Sequence, residues 1–218
     1  MTKGRTRQSP DAIVYRLMQA EDVPDVLTLV AQSQFPVSSL VSKSIYSALC
    51  LDALSDERVV IAVATEEKQV AGFLLVIIDW TSYWKSFAMH HPILGLQIGW
   101  KRMNRKRESA DVWNRLPQAD KNNIMRIASA RPSGKSWYDS SPAIAKVAFI
   151  YVDPLFRGRK LAEELYLYLM KILAKSGVSR IDAKVDLTNR RAMPLHVSVG
   201  YRLERDGNSL FAKKDLSK

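Results

Sequence analysis

Apolar and polar positions along this chain follow two periods. Ala12–Met18 reads as a short strand, and the segment AEDVPDVLTLVAQS behind it places Val23, Val26, Leu27 and Val30 at the spacing of a helix face. Asp22 stands where an N-cap is expected, and Pro24 falls in the first turn, where a missing N–H costs nothing. Leu40, Ile45, Leu49 and Leu54 predict the inward face of a second helix within Ser38–Leu54. Two nearly unbroken apolar runs follow, Arg58–Thr65 and Gln69–Trp80, rich in β-branched residues and joined by a short polar link. They predict a hairpin whose strands are covered on both faces.

The second half of the chain repeats the alternation of strand and helix. Ala143–Asp153 reads as a buried strand. Behind it Leu161, Leu165, Tyr168 and Ile172 mark one helix face, with Ala162, Leu169 and Leu173 beside them and Gly177 as the stop. Ile181, Ala183 and Val185 alternate with Asp182, Lys184 and Asp186, the pattern of a strand with one apolar face. A short helix near Asn189–Val199 and a hairpin turning at Asp206-Gly207-Asn208 complete the order β-α-α-β-β-(insert)-β-α-β-α-β-β. The fold class expected is mixed α/β (α+β): a central, mostly antiparallel sheet flanked by helices, one domain over residues 1–218.

Residues 81–142, between the third and fourth strands, form a basic helical insert within that domain. There 11 Lys and Arg stand against 4 Asp and Glu, an excess of 7 in a chain whose net charge is +11. Ile93, Leu96, Trp100 and Met103 behind Pro92 are spaced for a helix, and Lys101, Arg102, Arg105, Lys106 and Arg107 make its far end basic. Such a segment can cover an acceptor cleft, form a homodimer contact, or meet an anionic membrane or nucleic acid. The excess charge favours an anionic partner in general. A single cysteine, Cys50, excludes an internal disulfide and a multi-cysteine metal site, and no metal is expected. The longest apolar run, Val70–Ile78, is far short of the ~20 residues that span a bilayer. No secretory signal is evident, and the compartment expected is cytoplasmic.

The candidate chemistry lies in VDPLFRGRKLAEEL, Val152–Leu165. A strand ends at a proline, turns on Gly158 and enters a helix, with Arg157, Arg159 and Lys160 around the turn. The first turn of a helix presents unpaired N–H groups and the positive end of the helix dipole, so this junction suits an anion. By physics alone it reads as a diphosphate cradle, or else as a basic surface loop with an incidental glycine. The spaced glycines of a dinucleotide fingerprint and the GK(S/T) of a P-loop are both missing.

These residues resemble motif A of the GNAT superfamily of N-acetyltransferases, roughly Q/R-x-x-G-x-G/A after a strand ending V-x-P. Arg157 takes its first place and Ala162 its last. NRRAMPLHVSVGY is similar to the family's next segment through Asn189, Ala192, Leu195, Gly200 and Tyr201, and VYRLMQAEDVPDVLTL resembles its opening. The resemblance implies acetyl-CoA as co-substrate and a primary amine, on a small molecule or a protein, as acceptor. It implies that backbone groups of Phe149, Ile150, Tyr151 and Val152 line the pantetheine arm beside a splay from the next strand. It assigns the diphosphate to Arg157, Gly158, Arg159, Lys160, Leu161 and Ala162, and a further contact to Asn189. Two departures stand out: Lys160 replaces the central glycine, and His196 replaces a tyrosine that protonates the leaving thiolate. An imidazole can donate that proton or simply pack beside the cofactor. Asp79 and Asp186, at strand ends, are weak candidates for a base. The reading from a different class is a catalytically inactive acyl-CoA-binding or protein/nucleic-acid interaction module.

Overall fold

The computed structural model describes residues 12–33, 40–96, 113–130, 141–185, 187, 191–206 and 209–216. In chain order its elements are β1 (Val14–Leu17), α1 (Val23–Gln32), α2 (Leu40–Asp52), β2 (Val59–Glu66), β3 (Gln69–Ile78), α3 (Trp80–His90), α4 (Gln118–Ile127), β4 (Ser129–Ala130), β5 (Ile144–Val152), α5 (Leu161–Lys175), β6 (Arg180–Val185), α6 (Ala192–Ser198), β7 (Arg202–Asp206) and β8 (Ser209–Asp215). The strands form one sheet in the order β1-β2-β3-β5-β6-β8-β7-β4. Only β5–β6 and β4–β7 run parallel. This is the mixed, mostly antiparallel sheet that the sequence predicts.

The unbroken apolar runs of β2 and β3 have a direct structural cause. Successive side chains point to opposite faces, and helices cover both. On one face Leu74 and Val76 join Leu161, Leu165, Tyr166, Leu169, Met170 and Leu173 of α5. On the other, Phe73, Leu75 and Ile77 join Val26, Leu29 and Val30 of α1, Leu49 and Cys50 of α2, and Tyr83 and Phe87 of α3. The β2–β3 link is a two-residue turn in which Glu67 and Lys68 both take positive φ, 50° and 71°, the twist that suits a tight hairpin. Cys50 is wholly buried, and burial pushes its thiol up to about 11, so it packs as an apolar residue.

Four local expectations change. Asp22 does not cap α1. Its buried carboxylate takes both ends of the Arg16 guanidinium, at 2.5 and 2.8 Å, and the Gln19 amide at 2.7 Å, because a bidentate charged partner outweighs a neutral cap. Leu54 lies past the end of α2 and is exposed. The buried stripe of α5 is turned so that Tyr166 and Met170 go inward while Tyr168 and Ile172 stay half-buried. The strand from Gln69 stops at Ile78, since Asp79, at φ 46°, breaks the ladder and Trp80 begins α3.

Within 81–142 the described residues are partly docked on the sheet. Residues 92–96 are helical as predicted, but Ile93 and Leu96 face outward. Further on, Ile124 of α4 enters the core beside α5, Trp113 lies under Arg205 at 5.8 Å, and β4 extends the sheet from β7. A two-residue strand has no periodicity to read, so β4 was not predictable. Trp100, Met103, the basic residues 101–107 and the segment 131–140 lie outside the described residues.

Candidate functional site

The central strand β5 is paired with β3 along its length, from Ile78↔Ala145 to Gly72↔Val152. With β6 it is paired only from Ile144↔Arg180 to Val147↔Ala183. Beyond that point β6 stays with β8, and β5 departs from it. The break coincides with a bulge: Val147 faces Val76 and Phe149 faces Leu75, so Ala148 has no partner on β3. A bulge bends its strand and sharpens the twist, and here it opens a fork between two parallel strands.

The phase of the ladder says which groups face that fork. The Asp153 amide donates to the Ala71 carbonyl at 2.9 Å, so the main-chain groups of Tyr151 and Phe149 also pair with β3. Those of Ile150 and Val152 therefore point into the fork. The Val152 carbonyl indeed accepts from Arg157 Nε at 3.1 Å, across from β3. Gly72, opposite Val152, fixes the closed edge: a Cβ there would lie 2.9 Å from the Tyr151 carbonyl oxygen.

The chain then turns from β5 into α5. Asp153 accepts from the Leu155 amide at 2.8 Å and caps a 3-10 turn over Pro154–Phe156. Gly158 takes φ 82° with nothing within 4 Å of where a Cβ would stand, so its backbone conformation is the constraint. Lys160 is the N-cap of α5 at φ 60°, and its side chain does not cap. The first helical bond runs from the Glu164 amide to the Lys160 carbonyl. The N–H groups of Leu161, Ala162 and Glu163 precede it and have no carbonyl behind them in the helix. Burying six large side chains of α5, at about 2 kcal/mol each, easily outweighs the ~1–2 kcal/mol that a lysine costs in the left-handed region.

The three cations of the turn are used differently. Arg157 stands over the Tyr151 ring at 5.6 Å and bonds the Val152 carbonyl. Arg159 reaches Glu66, at the end of β2, with two bonds of 2.6 and 3.1 Å, and the guanidinium holds the Glu66 carboxyl below its usual range. The Lys160 side chain is exposed and makes no hydrogen bond or ion pair among the described residues.

His196 is placed by α6, whose first turn accommodates Pro194 without losing a helical bond. Only 5% of its surface is exposed. Its Nδ1 lies 2.6 Å from the Ala192 carbonyl, which can only accept, so Nδ1 carries the proton. Nε2 then accepts from the Tyr166 hydroxyl at 3.2 Å. The imidazole sits edge-on between the rings of Tyr166 and Tyr201, at 5.6 and 5.1 Å. Burial lowers its pKa, against a smaller opposing effect of the Ala192 bond, and keeps it neutral. Both ring nitrogens are thus engaged inside the molecule. Tyr166 was missed from the sequence, although Tyr166, Leu169, Met170 and Leu173 also recur at helical spacing.

Comparisons with known proteins bear on the family and the fold. The family described as acetyltransferase (GNAT) matches residues 27–201. The chain belongs to the GNAT acetyltransferase family. No curated protein matches it by sequence. Among solved structures, the ribosomal-protein-S18-alanine N-acetyltransferase from Escherichia coli is 13% identical, with a TM-score of 0.56, over 95% of this chain and 96% of that one. The PaiA N-acetyltransferase from Thermoplasma acidophilum, in complex with coenzyme A, is 12% identical, with a TM-score of 0.56, over 94% of this chain and 99% of that one. The GNAT family N-acetyltransferase YhbS from Escherichia coli, in complex with CoA, is 16% identical, with a TM-score of 0.53, over 98% and 86%. At these identities the likeness concerns the fold.

In this GNAT chain the fork and the turn bring together Ile150, Val152, Arg157, Gly158, Lys160, Leu161 and Ala162, whereas the main-chain groups of Phe149 and Tyr151, expected to line the arm, are taken by β3 and Arg159 is drawn aside to Glu66. Asn189 and Asp186 lie outside the described residues. Asp79 stands on the closed side of the fork, three positions and roughly 10 Å past its apex, which removes it as a neighbour of the open arm. No group of acidic, histidine or cysteine side chains fit to hold a metal occurs among the described residues, and no described helix is long and apolar enough to cross a membrane.

Proposed function

We propose that this GNAT protein is an N-acetyltransferase that uses acetyl-CoA and acts on a primary amine. The observation that carries the reading is the fork at Val147/Ala183 opening toward the uncapped start of α5. One end offers strand backbone to an extended amide-bearing arm, and the other offers N–H groups and positive charge to a diphosphate. The residues fit the group: main-chain groups of Ile150 and Val152 would pair with the arm, and the N–H groups of Leu161–Glu163 would meet the diphosphate. Acetyl-CoA supplies the acetyl group as a thioester; transfer forms an N–C bond as the C–S bond breaks, the sulfur leaving as a thiolate and the amine's proton passing to solvent. The Val152 N–H, directed into the fork, would steady negative charge on a carbonyl oxygen there.

His196, with both nitrogens bonded inside the core, has the role of holding α6 and Tyr166 against the sheet. A thiolate leaves readily without an imidazole acid, because a thiol's own pKa is about 8.5. Acceptors of both kinds, small amines and protein amino groups, fit the reading, as does a single domain over 1–218 that contains the 81–142 insert. Incubating the protein with acetyl-CoA and a panel of amines and peptides, with a thiol reagent, tests it. Amine-dependent thiol release is expected. Cofactor binding with no release for any amine would instead make the chain a non-catalytic acyl-CoA-binding module.

A further inference from the structure

We propose that the face formed by α1, α2 and the end of α3 is an interaction surface for a second copy of this chain, each copy seating Ile93 and Leu96 in the other's α1–α2 groove. The proposal stands apart from the acyl-CoA reading. The groove, about 680 Å³, is lined by Leu27 and Ala31 of α1 and by Ala48 and Leu51 of α2, and Asp52 and His91 also line it. Val26 and Leu29 of α1 and Leu49 and Cys50 of α2 turn the other way, to the sheet. Leu51 is left 59% exposed.

Two residues past His91 begins an apolar ridge that the fold holds outward. Leu94 packs against the core under α1, α2 and α3, and the His91 ring lies 4.7 Å from that of Phe87. Gly95 comes so close to α3 that a Cβ would stand 2.8 Å from the Ala88 Cβ. With this side pinned, Ile93 and Leu96 are 71% and 77% exposed, and Met89 before them is 74% exposed. Three large apolar side chains left in water beside an apolar groove mark a surface that association would bury. Groove and ridge meet at His91, so they lie on one face, as a two-fold pairing of ridge into groove requires.

Charge selects the partner. Residues 20–57, which carry α1 and α2, hold Glu21, Asp22, Asp25, Asp52, Asp56 and Glu57 against Lys43 alone, in a chain of net charge +11. α2 ends on Asp52 with no basic residue in its last turn, so a carboxylate and the negative end of the helix dipole coincide at the groove. That carboxylate accepts from the Tyr83 hydroxyl at 2.5 Å and makes no ion pair among the described residues. An anionic lipid surface or a nucleic acid would be repelled there. The ridge of a second copy brings the opposite charge, because Lys101, Arg102, Arg105, Lys106 and Arg107 follow Leu96 in the sequence.

Sedimentation velocity of the full chain, with two variants, tests the pairing. The wild type should be a dimer at about 10 μM. Leu51→Arg spoils the groove and Ile93→Asp spoils the ridge. Each should raise the dissociation constant about a hundredfold or more, since every change acts twice in a two-fold dimer. Both positions are exposed in the single chain, and circular dichroism checks that each variant folds. Mixed in equal amounts, the two variants should associate again, through the one pairing that keeps an intact groove and an intact ridge. The other pairing then sets the new arginine against the new aspartate. A wild type that stays monomeric at about 100 μM, variants that dimerise as it does, or a mixture that stays monomeric would each overturn the proposal. A monomeric wild type that sediments with vesicles containing phosphatidylserine would overturn it too, and would assign the ridge to a membrane.

Discussion

Replacing His196 with alanine is expected to cost the fold about 3–4 kcal/mol, measured by urea unfolding. The loss has two sources. The imidazole fills the space between Tyr166 and Tyr201, and its removal leaves a hole among rings that cannot close without moving α6. The buried Tyr166 hydroxyl also loses its acceptor, an added penalty of about 1–3 kcal/mol if nothing replaces it. His196→Gln, which keeps an acceptor and most of the volume, should lose less than half as much. The pH dependence follows from the lowered pKa in the folded state. Above the unfolded value of 6.5 the histidine is neutral in both states, and its contribution to stability is complete. As pH falls below 6.5 the unfolded chain takes up a proton that the folded one refuses, so stability falls, by at most about 1.4 kcal/mol per pH unit. His196→Gln should lack this component between pH 7.5 and 5.5. A His196→Ala protein of unchanged stability that has lost its thiol release would instead identify the imidazole as the proton donor.

The second large effect is expected at the base of the fork. Asp182 is only 4% exposed and binds the Arg180 guanidinium at 2.8 and 3.1 Å. In the ladder it stands between two other buried cations, Lys146 on β5 and Lys213 on β8. Lys213 also meets Glu204 at 2.6 Å. Asp182→Ala removes a carboxylate from the middle of this row and should destabilise the protein by about 3–5 kcal/mol, read as a fall in denaturation midpoint. Replacing Asp182 and Arg180 together by apolar residues should recover only the part of the loss that comes from Arg180, because Lys146 and Lys213 still lose the carboxylate between them. If the single variant is neutral, the row of charges is held by other contacts and Asp182 does not anchor the fork. The strand pair next to Asp182 is the last before β5 and β6 separate, so the single variant should also weaken CoA binding.

Most of the sheet was legible because its residues leave little choice. Strands β2, β3 and β5 are continuous apolar runs, and α5 has a stripe that no strand would carry. The junction at Arg157–Ala162 stood out because a glycine and three cations sit where a strand meets a helix. What the sequence did not show was how those cations divide. Arg159 pairs with Glu66, 93 residues away, and no local pattern announces a contact of that range. The fork was expected from the family resemblance, but its cause, the bulge at Ala148, is a matter of register that apolar runs do not encode. Asp22 had the right place for a cap and was taken by Arg16 instead. The sequence leaves His196 open to chemistry or to packing, and its contact with Tyr166 depends on the turn of α5 about its axis, which the apolar stripe does not fix.

The most direct test of the central claim is a calorimetric titration of acetyl-CoA into the full chain, with Arg157→Glu in parallel and desulfo-CoA as a control ligand. Arg157 stands across the mouth of the fork, on the Val152 carbonyl, so a carboxylate in its place would meet the donor's phosphates with like charge. The account predicts micromolar binding of both ligands by the wild type and a loss of about a hundredfold or more in the variant. Absence of binding in the wild type, or equal binding by Arg157→Glu, would contradict it.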